Sequence, residues 1–122
     1  MQSILALTVA FLASTIFAAP TSRDVTTTVQ FTNDQSGRNA DVNIPINVGA
    51  VGVKGLLDNT ALDVNDTYFV TSFFLQANFQ GVECELTIGS SVITVDDQKT
   101  FAQIASQPVD LASAVIYCHP LT

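Results

Sequence analysis

The chain has 122 residues and a formal net charge of −7, with 11 acidic side chains against 4 basic ones. The basic set, Arg23, Arg38, Lys54 and Lys99, is scattered and forms no patch. Phosphate backbones and anionic headgroups repel such a surface, which excludes nucleic acid and membrane surfaces as partners.

The chain opens on an apolar run, Ile4 to Ala19, closed by Pro20. A run of about fifteen apolar residues is shorter than the roughly twenty needed to span a bilayer core. It has the length of a secretory leader, and the small residues Ala18 and Ala19 suit a signal peptidase pocket. Residues 1–18 are therefore expected to be a signal peptide, although the n-region carries no Lys or Arg. The alternative is a buried N-terminal strand or helix, against which the abrupt polar shift after Pro20 argues. Residues 19–122 then form one secreted domain, the usual size for a single core. The expected location is extracellular, in the apoplast or cell wall, with no membrane contact in the mature form. The C-terminal His119-Pro120-Leu121-Thr122 does not resemble a lipid-anchor tail.

The dominant period after the leader is two. Val25, Thr27, Val29 and Phe31 alternate with polar residues, as in a half-buried strand. Asn33-Asp34-Gln35-Ser36-Gly37 is a turn, and Ala40, Val42 and Ile44 continue the alternation, so the two runs predict a hairpin. Pro45 cannot donate to a ladder and should end the strand or place it at an edge. The stretch Val48 to Leu57 holds three glycines, and a short helical turn or loop is expected there to drop Val51, Leu56 or Leu57 onto the core. Tyr68 to Leu75 is apolar on both faces and reads as a central strand. Val82, Cys84, Leu86 and Ile88 form the dry face of the next strand, with Glu83, Glu85 and Thr87 outside. Val92 to Val95 follows a Gly89-Ser90 turn, and Asp96 to Lys99 is another turn. Thr100 to Gln103 has capping-box spacing and predicts a helical turn. The last strand is Leu111 to Cys118. The sum is an all-β fold, a small antiparallel β-sandwich or barrel of about six to seven strands with one or two short helical turns.

Cys84 and Cys118 are the only cysteines, and an even pair in an exported chain reads as one disulfide. Free or metal-binding thiols would need further Cys or His at ligand spacing. Asn65-Asp66-Thr67 is an N-glycosylation acceptor, so Asn65 is a candidate glycan site in an exposed loop.

Catalytic chemistry finds little support. His119, the only histidine, adjoins Cys118 and so points to the opposite strand face. A Ser-His-Asp triad would have to use it near the chain end. Glu83 and Glu85 share a face about 7 Å apart by strand geometry, a spacing open to two-carboxylate hydrolysis. That face is the polar one, however, and the chain has no Trp to line a sugar cleft. Asp63-x-Asn65-x-Thr67 and Asp96-Asp97 offer oxygen ligands to calcium, but EF-hand spacing fails and turn duties explain them equally. The expectation is no catalytic residue, no metal site and no cofactor.

The leader ending in Ala-Ala-Pro, the strands around Val29 to Gly37 and Ala40 to Pro45, and the late Cys84 and Cys118 resemble a group of small secreted proteins of filamentous ascomycetes. Some of these are labelled hypersensitive response-inducing proteins. The resemblance implies an elicitor-like or effector-like protein, acting without catalysis by recognising a host or cell-wall component. It carries over no binding residue. The dense multi-disulfide pattern of many fungal effectors is absent here. A cell-wall or carbohydrate-binding surface protein is the other expectation, from the β pattern, acidity and sequon.

Overall fold

The computed structural model describes residues 25–121, so the expected leader lies outside the described residues. Ten strands and one short helix follow in order. They are β1 (Thr26–Asn33), β2 (Arg38–Pro45), β3 (Val51–Gly52), α1 (Val53–Leu57), β4 (Phe69–Val70), β5 (Ser72–Ala77), β6 (Val82–Ile88), β7 (Ser91–Asp96), β8 (Phe101–Gln103), β9 (Val109–Asp110) and β10 (Val115–Pro120). All but β8 of the seven strands of three residues or more match strands read in the sequence. The others, β3, β4 and β9, are two-residue ladders too short to show a period.

Two four-stranded antiparallel sheets, in the orders β2-β1-β5-β8 and β3-β10-β6-β7, form the fold, and β9-β4 is a separate ribbon. Both large sheets are open, which makes the fold a sandwich rather than a barrel. Each contributes one dry face to a shared core. Val29, Phe31, Val42, Ile44, Phe73 and Leu75 come from the first; Cys84, Leu86, Val95, Ile116 and Cys118 come from the second. Each large apolar side chain buried this fully is worth about 1.5–3 kcal/mol of transfer free energy. Val53, Leu57, Leu62, Tyr68 and Leu111 extend the same core outside the two sheets.

The first hairpin pairs Asn33 with Arg38 and Thr26 with Pro45, in the alternation expected. Gly37 closes its turn at φ 79°, a left-handed conformation that suits glycine. Pro45 is both the last residue of β2 and on an edge strand, the two places a missing N–H is tolerated. Beyond it the chain crosses to the second sheet, where Asn47 N donates to the Cys118 carbonyl at 2.7 Å. The glycine-containing segment then forms α1, which buries Val53 and Leu57.

Three local expectations are corrected. Tyr68 to Leu75 is not one strand but β4 and β5, broken at buried Thr71. That residue is held across the break: its backbone N and its hydroxyl both donate to the Thr32 carbonyl, and its hydroxyl accepts from Asp34 N. Nor is the segment dry on both faces, since Phe69 is exposed and Phe74 half-buried. Thr100 to Gln103 is not helical: Phe101, Ala102 and Gln103 pair with Phe74, Phe73 and Ser72. Ladder bonds to β5 and burial of Ala102 outweigh a local capping pattern worth about 1 kcal/mol. The last strand starts at Val115, because Leu111 N is drawn to the Tyr68 carbonyl at 2.9 Å.

Candidate functional site

Cys84 and Cys118 are a register pair on adjacent strands β6 and β10, bonded to each other and completely buried. Alternation then forces their neighbours outward. Glu83 and Glu85 on β6, with Tyr117 and His119 on β10, share the open face of the sheet. His119 lies opposite Glu83, and Tyr117 opposite Glu85.

The histidine closes a three-residue cluster. Its Nε2 is 3.1 Å from Glu83 Oε1 and 3.1 Å from Glu85 Oε2. Its Nδ1 lies 3.1 Å from the Pro120 carbonyl, and its ring lies against Tyr117 with centroids 4.8 Å apart. The side chain is 21% exposed. Burial lowers the imidazole pKa, but the Pro120 carbonyl and the Glu85 and Glu83 carboxylates more than offset it, so the net shift is upward from 6.5. From sequence alone Glu83 and Glu85 are a solvated pair on a strand face and His119 has no partner. What joins them is the β6–β10 register, 34 residues apart in the chain.

A second polar cluster surrounds the end of α1. Buried Tyr68 donates its hydroxyl proton to Asp58 Oδ1 and accepts from Lys54 Nζ at 3.0 Å. Lys54 and Asp58 also pair directly at 3.5 Å, on largely exposed side chains. The Tyr68 hydrogen bond holds the Asp58 carboxyl below its usual range, and the bond to Asp58 raises the phenol. Asp63 and Asp66 come close enough to Asp58 to share a cation. Within that loop Asp63 accepts from Asn59 N and Asp66 N, the work of a turn carboxylate. Thr67 donates to the Val64 carbonyl instead of joining a ligand set. Asp96 accepts from Gln98 N and Lys99 N, and Asp97 from Gly81 N, so both serve turns.

Next to this loop is a groove of about 300 Å³ lined by Asn33, Ser36, Arg38, Leu62, Val64, Thr67 and Phe69. Its only charged lining residue, Arg38, donates to the Ala61 carbonyl at 3.1 Å. Val64 and Phe69 are 41% and 43% exposed and put two apolar side chains on the groove wall. Asn65 is exposed on the same loop at φ 53°. Sequence reading found the sequon but not the groove, whose walls come from separate elements.

Among the described residues no helix is long and apolar enough to cross a membrane. No protein-family profile matches the chain, and neither the curated proteins nor the solved structures hold a significant match.

Proposed function

We infer that the protein is secreted and acts outside the cell by recognising another macromolecule without catalysis, in the manner of an elicitor or effector. The observation that carries this reading is the groove beside Asn65. It sets exposed Val64 and Phe69 next to the hydrogen-bonding groups of Asn33, Ser36 and Thr67. Apolar contact ringed by polar groups is the usual composition of a recognition surface. The carboxylates that could serve hydrolysis, Glu83 and Glu85, are engaged with His119 and stand outside the groove lining.

The test is infiltration of purified, disulfide-intact protein into leaves of several plant species. Cell death or a defence response is expected, and Val64→Ser/Phe69→Ser should abolish it while melting like the parent. Absence of any response to folded protein across hosts would end the reading. Phe69 beside the polar lining also favours a second reading, binding of cell-wall carbohydrate. Retention on wall polysaccharide without a leaf response would select it.

A further inference from the structure

The side chains around His119 bring two carboxylate oxygens to one imidazole nitrogen on the open face of the sheet. The Pro120 carbonyl can only accept, so Nδ1 carries a proton and donates to it. A neutral ring then turns the bare lone pair of Nε2 toward Glu83 Oε1 and Glu85 Oε2, each 3.1 Å away. Three acceptors would face one another with no donor between them. A divalent cation seated between them would be bound by all three.

We propose that Glu83, Glu85 and His119 form a binding site for a divalent cation of the zinc class on the open face of the β3-β10-β6-β7 sheet. One donor atom from each residue lies within 4.8 Å of the others. Tetrahedral zinc with bonds of about 2.0–2.1 Å holds its ligand atoms about 3.3 Å apart, close to the two separations at Nε2. The outer shell is in place as well. Metal-binding histidines commonly donate their second N–H to a backbone carbonyl, which fixes the tautomer and the ring orientation. Pro120 does that here, and the Tyr117 ring packs against the imidazole.

The ligands also narrow the choice of metal. One imidazole and two carboxylates suit zinc, or copper(II) at least as tightly. Calcium prefers six to eight oxygens and takes imidazole poorly. Three protein ligands leave a further position for water or for a donor group of a partner. The Cys84–Cys118 bond joins the two strands at the neighbouring register pair and so holds the ligand-bearing backbones together.

Because His119 is the only histidine in the chain, its ring resonances are assigned without mutation. Untagged protein, stripped with a chelator, is titrated with zinc chloride and followed by NMR and calorimetry. One equivalent of zinc should shift the His119 ring signals, and the same concentration of calcium chloride should not. His119→Ala and Glu85→Gln should each weaken zinc binding at least about tenfold. Ring signals unmoved by zinc would overturn the proposal, as would His119→Ala binding zinc as well as the parent, which would place the ion on Asp58, Asp63 and Asp66. If a variant fails to fold, the resonances of the unaltered protein decide alone.

Discussion

His119 and Glu83 face each other directly across the β10–β6 pair, with Nε2 3.1 Å from Oε1. The adjoining register pair is Cys118 and Cys84, whose side chains point the opposite way and are bonded in the core. One pair of strands thus carries a covalent staple on its dry face and an ionic cluster on its wet face. Strand alternation alone separates the two chemistries.

The ionic cluster makes metal-free stability depend on pH in a definite direction. The folded pKa of His119 is raised, so folding favours the protonated ring. Its contribution is fully present below the unfolded value of about 6.5 and is lost as pH rises through the higher folded value. Urea midpoints of parent and His119→Ala, measured in chelator, should therefore differ most at acid pH and converge toward alkaline pH. A difference that grows with pH would contradict this sign.

The staple closes a separation of 34 residues. Chain-entropy reasoning assigns such a loop about 3–4 kcal/mol, a large share of the ~5–15 kcal/mol by which small domains are folded. Cys84→Ala/Cys118→Ala is expected to lose that amount in urea unfolding. A loss below about 1 kcal/mol would mean that the reduced chain is already constrained by residual structure.

Alternation was legible where each strand supplied its own pattern. Val29 and Phe31, Val42 and Ile44, and Cys84 and Leu86 all point inward as their spacing requires. Where a partner decides the outcome, local pattern fails. Thr100 to Gln103 carries helix-start spacing yet meets β5, and Thr71 breaks an apolar run because Thr32 and Asp34 bind it. The same limit hid the histidine cluster. Glu83 and Glu85 are visibly paired in sequence, but only the β6–β10 register brings His119 to them.

Asn65 occupies a left-handed position on an exposed loop, accessible to a glycosyltransferase. Expression through a eukaryotic secretory pathway is expected to give a heavier band that collapses on treatment with a peptide N-glycosidase. Asn65→Asp is the informative control. Aspartate tolerates positive φ nearly as well as asparagine, so the variant removes the acceptor without straining the turn. An identical band for parent and variant would show that the sequon goes unused.

Asp110 is a structural carboxylate that the sequence did not mark. Its Oδ1 accepts from Tyr68 N at 3.0 Å and from Ala112 N at 3.0 Å. Those bonds tie β9 to the residue before β4, while Leu111 N donates back to the Tyr68 carbonyl. Tyr68 is fully buried, so solvent has little access to replace a lost partner. Asp110→Ala would remove the acceptor of the buried Tyr68 N–H, and a buried donor without its acceptor costs about 1–3 kcal/mol. Asp110→Asn keeps an acceptor oxygen in place and should cost well under half as much. Equal destabilisation by the two variants would show that charge, rather than the pair of hydrogen bonds, makes this carboxylate matter to the fold. The measurement is equilibrium urea unfolding of both variants beside the parent, with the disulfide intact.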